Sequence, residues 1–379
     1  MDNLIYLDNS ATTKPCDEAV AALTAVVTKD FGNPSSLYVF GMNAEQKLSE
    51  ARAAIAEKLD CRDDEIFFTS GGTESNNTAI FSAARLLKRR GNHIVTTTIE
   101  HPSVLEPIRA LEKEGFEVDF LKPDKNGAIS LSAFEKAIRK DTILVSAMLV
   151  NNEVGSVLPI ADIKQIIKAV GSPALLHTDC VQAFGKIPVS PYELSADLVS
   201  ISAHKIHGVK GAGALYVKKG IPLPPFMLGG GQEKGFRSGT EAVPSIAAFG
   251  AAVKALPNLT ETHKRVLALK EKCISLLKEF DNVFVNSPED SLPYILNFSF
   301  TGYRSETLLH HLENFGILVS SGSACSKGKG SYVLLEMGLP QRLVDSALRI
   351  SFSRFNTEED VKALCLSLKS ALKLKKSQK

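Results

Sequence analysis

Apolar residues recur along the chain with two spacings, and each spacing predicts a different element. Helical spacing occurs in two clear stretches: Leu48, Ala51, Ile55 and Leu59, then Ile163, Ile166, Ile167 and Val170. Short continuous apolar runs, typical of buried strands, lie at 66–69, 93–97, 143–150, 174–177, 198–202 and 212–217. Strands that alternate with helices favour βαβ units and a largely parallel sheet covered on both faces. The pattern therefore predicts an α/β fold.

The alternation ends at 220–236, where three prolines and several glycines predict an ordered loop. After about residue 250 come helical signals, an apolar run at 294–300 and a final helix. That helix opens on Thr357-Glu-Glu-Asp360, a capping-box pattern. Because 379 residues exceed the usual size of a single core, we predict two domains. The large domain covers 16–250, and a smaller α+β domain combines 1–15 with 251–379.

Charge and cysteine content exclude several classes of function. The 44 Lys and Arg residues nearly balance 42 Asp and Glu residues, so bulk charge gives no reason to expect nucleic-acid or membrane binding. Six scattered cysteines fit neither a zinc site nor a disulfide framework. No signal peptide is evident, and the apolar run at 143–150 is too short to span a bilayer. We expect a soluble, cytoplasmic protein with free thiols and no metal.

A glycine-containing turn at 70–75 directly follows the predicted strand at 66–69. Glycines such as Gly72 allow close backbone approach, and the amide groups of a helix N-terminus attract anions. Thr73 adds a hydroxyl donor. The turn is either a phosphate cradle or an ordinary strand-to-helix connection capped by Thr73, and the motif alone does not decide between them.

Two charged residues stand at the ends of other predicted strands, where ligands bind in an open α/β sheet. Asp179 could hold a protonated pyridine nitrogen, although a helix N-cap is the simpler interpretation. Lys205, next to His204, could form an imine if it is partly desolvated. An isolated lysine is usually a solvated surface residue. The strand-end position and the acid 26 residues upstream favour the chemical role.

Cys325 lies in the segment 320–330, which is rich in Gly, Ser and Lys and cannot form a core. The flanking Lys327 and Lys329 favour a thiolate. The composition predicts a reactive thiol on a flexible loop at about 320–331.

These segments, in their order and spacing, resemble the cysteine desulfurases, class V aminotransferases of the fold-type I group that use pyridoxal 5'-phosphate (PLP). The resemblance runs nearly end to end. Besides the Asp179 and Lys205 segments, it is carried by 6–13, 32–35, 69–75, 100–101, 150–155, 229–233, 237–240, 320–325 and 348–351. The form Ser-Ser-Gly-Ser-Ala-Cys at 320–325 is similar to the subgroup serving iron–sulfur cluster assembly and tRNA thiolation.

The resemblance implies how the cofactor ring is held. Lys205 would bind PLP covalently and move protons during turnover. His101 would stack on the ring, and Asp179 would pair with the pyridine nitrogen. Asn152 and Gln182 would contact the phenolic oxygen.

The resemblance also implies the phosphate and substrate contacts. Thr73, Ser202 and His204 would bind the phosphate in the cradle opened by Gly72. Thr240 would join them from a second subunit, which implies a homodimer with shared active sites.

Arg349 would bind the substrate carboxylate, with Asn33 nearby. L-cysteine would become L-alanine, and its sulfur would form a persulfide on Cys325 for an acceptor protein.

Some features depart from the family pattern and keep alternatives open. Tyr38 replaces a common histidine, Cys180 stands beside Asp179 where an alanine is expected, and the stretch 325–332 is short. Cys180 is either close to the cofactor or a small core residue. The alternative activities are a selenocysteine lyase and another class V aminotransferase. A non-catalytic scaffold is less favoured, and a dinucleotide-binding dehydrogenase lacks its glycine fingerprint.

Overall fold

The computed structural model of the chain describes residues 4–321 and 330–374. The helices are α1 (Asp17–Thr28), α2 (Val39–Leu59), α3 (Gly72–Leu87), α4 (Pro102–Lys113), α5 (Leu131–Ala137), α6 (Ile160–Val170), α7 (Val243–Lys254), α8 (Leu259–Leu277), α9 (Ser305–Glu313), α10 (Tyr332–Glu336), α11 (Gln341–Val344) and α12 (Glu358–Leu374). The strands are β1 (Ile5–Tyr6), β2 (Ile66–Thr69), β3 (His93–Thr97), β4 (Glu117–Leu121), β5 (Thr142–Ser146), β6 (Leu175–Asp179), β7 (Leu198–Ser202), β8 (Gly213–Val217), β9 (Val283–Val285), β10 (Ile295–Phe300), β11 (Ile317–Leu318) and β12 (Ala347–Ser351).

A seven-stranded sheet of order β2-β8-β7-β6-β5-β3-β4 forms the centre of the molecule. Strand β8 runs antiparallel to both β2 and β7, and the other neighbouring pairs are parallel. Its inner strands β3, β5, β7 and β8 are buried at every residue. The prediction of an α/β fold with a mainly parallel sheet is confirmed.

Two details of the sheet differ from the sequence pattern. The edge strand β4 was not predicted, because its five residues are only half-buried or exposed and form no apolar run. Strand β5 ends at Ser146, whereas the apolar run continues to Val150. Residues 147–150 are buried but lie outside the strand, although the amides of Ala147 and Leu149 donate to carbonyls of β6 and Val150 forms an isolated bridge with Val157. Apolar composition alone therefore overestimated the length of this strand.

The N-terminal segment pairs with the C-terminal part of the chain. Strand β1 is parallel to β11, and Asp8 forms a bridge with Ser351 at the end of β12. A second, antiparallel sheet has the order β12-β10-β9. The domain boundaries at 15/16 and 250/251 stay a prediction.

The final helix begins as the sequence indicates. The Asp360 amide donates to Thr357 Oγ1 at 3.4 Å, and the Thr357 amide donates to a carboxylate oxygen of Asp360 at 3.1 Å. Val361, Leu364 and Leu368 on its inner stripe are fully buried. The predicted loop at 220–236 contains a short 3-10 turn, Glu233–Gly235, as its one regular element. Within 4–321 and 330–374, none of the helices has the length and apolar character needed to cross a membrane.

Candidate active site

A cavity of about 350 Å³ opens at the carboxyl edge of the central sheet. Parallel strands bring Asp179, which ends β6, and Ser202, which ends β7, to the same edge. The start of α3, after β2, lies beside them. The rest of the wall comes from residues 101–103 after β3, residues 148–153 after β5, the N-terminal segment and the C-terminal part of the chain. The lining is Ser10, Ala11, Gly72, Thr73, Asn76, His101, Pro102, Ser103, Met148, Val150, Asn152, Glu153, Asp179, Val181, Gln182, Ser202, His204, Lys205, Tyr332 and Arg349.

The start of α3 has the properties of an anion site. The backbone of Gly71 has a φ of 151°, which favours glycine. A Cβ on Gly72 would lie 2.8 Å from Cγ2 of Val181, so a side chain there would crowd the turn. The first amide groups of a helix have no intrahelical partner. Beside them, Ser202 Oγ is buried and has no hydrogen-bond partner among the described residues.

Asp179 is buried at the edge of the sheet with two hydrogen-bond donors on its carboxylate. Asn76 Nδ2 lies 2.7 Å from one oxygen, and the amide of Val181 lies 2.9 Å from the other. These donors fix the carboxylate in the cavity wall. A carboxylate placed this way can pair with a cationic ring nitrogen.

Lys205 follows β7 in a 3-10 turn, Ala203–Lys205, and its amine points back to the N-terminal segment. The Nζ atom donates to the carbonyl oxygens of Ser10 at 2.5 Å and Ala11 at 2.8 Å. Next to it, burial and the charge of Lys205 lower the pKa of His204 to about 4. His204 is therefore neutral at physiological pH.

Two amide side chains stand near the lysine. Gln182 Nε2 donates to the same Ser10 carbonyl at 3.0 Å, and Gln182 Oε1 accepts from Lys186 Nζ at 3.0 Å. Burial, with the charge of Lys205, lowers the pKa of Lys186 to about 7. Asn152 Oδ1 is buried and has no partner within the described parts of the chain.

Arg349, in β12, brings a cation to the cavity from the C-terminal part of the chain. Its Nη2 atom lies 2.8 Å from an Asp8 carboxylate oxygen, and Nη1 donates to the Asn152 carbonyl at 3.0 Å. The Nε atom is buried and lacks a partner among the described residues. Glu153 lies in the same wall, accepts a hydrogen bond from Ser331, and has its pKa raised to about 7 by burial.

The groups along this cavity fit a phosphorylated pyridine aldehyde such as PLP. An amine can bind the aldehyde, a carboxylate can hold the ring nitrogen, and a helix N-terminus can hold the phosphate. Two buried oxygen atoms, Ser202 Oγ and Asn152 Oδ1, have no partner among residues 4–321 and 330–374, and a ligand would satisfy them. The donor set therefore agrees with the cofactor that the sequence predicts.

The structure brings together most of the predicted site residues. Gly72, Thr73, His101, Asn152, Asp179, Gln182, Ser202, His204, Lys205 and Arg349 all line the cavity. Asn33 and Thr240 do not; both are exposed on the single chain, and Asn33 Oδ1 accepts from the Ser35 amide at 3.0 Å. Their predicted roles stay predictions, as do those of the residues in the cavity. Cys325 lies outside the described residues.

Cys180 does not reach the cavity. Its side chain is fully buried, 3.8 Å from Thr178 Oγ1, and is absent from the lining. Burial raises the pKa of this thiol far above its ordinary value. The placement favours a small core residue over a group close to the cofactor.

Sequence reasoning did not single out five polar residues of the lining: Ser10, Asn76, Ser103, Glu153 and Tyr332. Ser10 belongs to the segment 6–13 but was given no role. Asn76 follows Thr73 at helical spacing on α3, so spacing could have indicated it. Ser103 is the second residue of the helix that His101 caps, where the backbone amide donates to the N-cap side chain. Glu153 belongs to the segment 150–155 but was given no role. Tyr332 had no local signal, because only the tertiary fold brings α10 to this wall.

Comparison with known proteins places the chain in a family. The aminotransferase class-V family matches residues 5–364, and the chain belongs to it. Enzymes of this family and its cysteine desulfurases depend on PLP, so PLP is the cofactor of this chain.

Relatives and solved structures extend over nearly the whole chain. Cysteine desulfurase IscS of Dictyoglomus turgidum is 42% identical over 366 residues, which cover 95% of this chain and 92% of that protein. The protein of the same name from Methanosarcina thermophila is 41% identical, and the match covers 94% of this chain and 89% of that protein. A solved NifS-like protein superposes with a TM-score of 0.93 at 38% identity, covering 98% and 100%. The structure of SspA in complex with cysteine superposes with a TM-score of 0.82 at 32% identity, and the match covers 93% of this chain and 100% of that one.

Proposed function

We propose that this chain is a cysteine desulfurase that converts L-cysteine to L-alanine and passes the sulfur on as a persulfide. The observation that carries the proposal is that Lys205, Asp179 and Arg349 line one cavity. Relatives at about 40% identity over nearly the full length bear the name cysteine desulfurase. A solved structure of a similar protein, SspA, is described as a complex with cysteine.

Each side chain has a defined task in this proposal. Arg349 binds the substrate carboxylate, since a guanidinium matches a planar anion. Lys205 takes the proton from the substrate Cα and returns protons later. When bound, PLP supplies an electron sink that stabilises negative charge at that carbon, and Asp179 keeps the ring nitrogen protonated. The start of α3 and Ser202 bind the phosphate, while Asn152 and Gln182 contact the phenolic oxygen.

The sulfur transfer balances without an added oxidant. The Cys325 thiolate attacks the substrate sulfur, the carbon–sulfur bond breaks and a sulfur–sulfur bond forms. Sulfur is oxidised to the persulfide level while the substrate carbon is reduced to a methyl group. One thiol hydrogen ends on the alanine methyl, and the persulfide on Cys325 keeps the other sulfur-bound proton.

A direct assay tests the activity. The protein with PLP is incubated with L-cysteine and, separately, with selenocysteine, and alanine, sulfide and selenide are measured. Alanine from cysteine, with one persulfide per chain in the absence of an acceptor, is the expected result. Alanine from selenocysteine alone would assign a selenocysteine lyase. Amino-group transfer without alanine would assign another class V aminotransferase.

Replacement of the predicted thiol separates the two halves of the reaction. Cys325→Ser should abolish persulfide formation and leave the absorbance of bound PLP unchanged. Cys180→Ser is the matched control, because Cys180 is buried away from the cavity. Persulfide formation that persists in Cys325→Ser would place the acceptor thiol elsewhere.

We also propose a homodimer in which Thr240 of one subunit reaches the phosphate of the other. Apolar side chains at the start of α2 are exposed on the single chain, among them Leu37 at 97%, Val39 at 67% and Met42 at 64%. Leu228, in the loop that leads to Thr240, is 84% exposed. Exposed apolar clusters of this kind mark protein contacts. Light scattering should give twice the chain mass of 40.9 kDa, and a monomer would contradict the shared site.

The acceptor and the location complete the proposal. We propose that the persulfide passes to a thiol of an iron–sulfur scaffold or a thiolation enzyme, and that the protein acts in the cytoplasm. Transfer of 35S from labelled cysteine through the protein to candidate acceptors in a cell extract would identify the acceptor. Cell fractionation would test the location.

A further inference from the structure

A continuous chain of hydrogen bonds joins Asp179 to His101 through two side chains to which the proposed reaction gives no role. Asn76 Nδ2 lies 2.7 Å from the Asp179 carboxylate and 2.8 Å from Ser103 Oγ. Ser103 Oγ lies 2.7 Å from His101 Nδ1. The four residues come from α3, the start of α4 and the end of β6, and the two linking side chains are buried.

The proton positions along this chain follow from its ionised end. A carboxylate only accepts hydrogen bonds, so the amide nitrogen of Asn76, and not its oxygen, must face Asp179. The Asn76 oxygen is buried without a partner among the described residues, so no competing contact sets the amide orientation. The second N–H of the amide then points to Ser103 Oγ, which must accept it.

The Ser103 hydroxyl, having accepted from Asn76, has its own hydrogen free to donate to His101 Nδ1. The backbone N–H of Ser103 also donates to Nδ1, at 3.1 Å, because His101 is the N-cap of α4. A ring nitrogen that accepts two hydrogen bonds does not carry a proton. The imidazole proton therefore lies on Nε2.

We infer that Asn76 and Ser103 are positioning residues that hold His101 as a neutral imidazole with its proton on Nε2. The inference rests on the proposed function for what His101 contacts. It deepens that function by assigning the resting ring as a hydrogen-bond donor through Nε2, with protonation at Nδ1 opposed by the two donors that face this atom. Asp179 orients the relay as well as the cofactor ring, so one carboxylate sets two groups of the site.

The surroundings of His101 agree with a neutral ring. Burial lowers its pKa; the charge of Asp179 acts in the opposite direction, and the charge of Lys205 adds to the lowering. The other titratable or charged groups that line the cavity are Glu153, His204, Tyr332 and Arg349. Protonation of Nδ1 would also place an N–H group against two hydrogen-bond donors, the hydroxyl and the backbone amide of Ser103.

Removal of the Ser103 hydroxyl has a predictable sign. A hydrogen bond to the neutral form of a group opposes its charged form. Ser103→Ala removes one such bond and should raise the pKa of His101 by roughly half a unit to one unit, the size expected for one neutral hydrogen bond. The backbone donor remains, so the Nε2–H tautomer should lose part of its preference and not invert. Ser103→Thr keeps a hydroxyl and should restore the pKa.

NMR of protein labelled with 13C-histidine tests the inference, since the Cδ2 chemical shift of a histidine differs between its tautomers. The chain has eight histidines, and His101→Gln identifies the signal. Spectra of the full chain are recorded across pH, with and without PLP. Ser82→Ala is the matched control, because Ser82 is a buried serine of α3 whose hydroxyl has no partner among the described residues.

The outcomes separate this inference from the proposed function. We expect the Nε2–H tautomer in the unsubstituted protein and a pKa shift in Ser103→Ala but not in Ser82→Ala. An Nδ1–H tautomer in the unsubstituted protein overturns the inference even if a variant fails to fold. An unchanged His101 pKa in folded Ser103→Ala removes Ser103 from the relay. A failure to form alanine from cysteine would overturn the proposed function and leave the tautomer result standing.

Discussion

The two walls of the cavity are held in place by different kinds of contact. The sheet rim, which we define as Thr73, Asp179, Ser202 and Lys205, lies within a few residues of the ends of β2, β6 and β7. The C-terminal rim, defined as Tyr332 and Arg349, depends on partners far away in sequence. Arg349 pairs with Asp8, 341 positions away, and the Tyr332 hydroxyl donates to the Glu100 carbonyl at 2.5 Å.

This difference corresponds to a division of work in the proposed reaction. Groups at strand ends are placed by regular backbone, and on the sheet rim they provide what the cofactor requires. The C-terminal rim carries the cation for the substrate. Changes on the sheet rim should therefore remove the chemistry, whereas changes on the C-terminal rim should alter substrate binding and stability.

The largest effect is expected on the sheet rim. Lys205→Met should lower alanine formation from cysteine by roughly 1,000-fold or more, because one residue both binds the cofactor and moves protons. Borohydride should no longer trap PLP on the chain. Lys210→Met, at an exposed lysine five positions later, is the control and should match the unsubstituted enzyme. Trapped cofactor in Lys205→Met would move the anchor to another lysine.

Arg349→Met tests the C-terminal rim. The loss of the guanidinium should raise the KM for cysteine roughly 100-fold, about the worth of a charge-assisted pair. The absorbance of bound PLP should not change, because the sheet rim is intact. Arg342→Met, at an exposed arginine, is the control. If kcat fell as far as Lys205→Met while KM stayed constant, the division between the two rims would be wrong.

Glu100, whose carbonyl accepts from Tyr332 of the C-terminal rim, should make stability depend on pH. Burial raises the pKa of Glu100 to about 8, whereas an unfolded chain binds that proton only below about 4.3. Between about pH 4.3 and about pH 8 the folded state therefore holds one more proton than the unfolded state. The stability that this proton contributes is complete below about pH 4.3 and is lost as the pH rises through about 8. Glu100→Gln cannot ionise, so its free energy of unfolding should gain about 2 kcal/mol on that of the unsubstituted protein between pH 5.5 and pH 7, and more by pH 8.5.

Denaturant unfolding at pH 5.5, 7 and 8.5 measures this difference. Glu112→Gln, at an exposed position of α4, is the control and should leave the pH profile unchanged. Glu153, with a pKa raised to about 7 by burial, adds a slope of the same sign in all three proteins. A constant gap between Glu100→Gln and the unsubstituted protein across pH would show that Glu100 does not titrate in the predicted range.

The smallest effect is expected from the hydrogen bond between the Tyr332 hydroxyl and the Glu100 carbonyl. Tyr332→Phe removes the hydroxyl that donates to the Glu100 carbonyl, which should cost about 1 kcal/mol of the free energy of unfolding. The KM for cysteine should rise only a few-fold, with kcat retained. Tyr38→Phe, at a side chain 63% exposed, is the control. A loss of kcat comparable to that in Lys205→Met would make Tyr332 part of the chemistry.

The sequence predicted the sheet rim well because its signals are local. An apolar run followed by Asp179, or by the segment that ends in Lys205, marks a strand end wherever the strand lies in the sheet. The half-exposed strand β4 and the early end of β5 were not predictable in this way. A strand whose residues are exposed leaves no apolar run, and an apolar run can continue past the end of its strand. The inert placement of Cys180, one residue after Asp179, also needed the fold.

The sequence by itself determined the α/β class, the strand-end residues and the family, since apolar periodicity and short ordered motifs are written along the chain. Only the tertiary structure decided what faces those residues. Asp8 meets Arg349, and Asn76 and Ser103 join Asp179 to His101, through contacts between segments that no local pattern relates. The proton position on His101 follows from those contacts, because a hydrogen-bond direction is fixed by both partners and not by either residue alone.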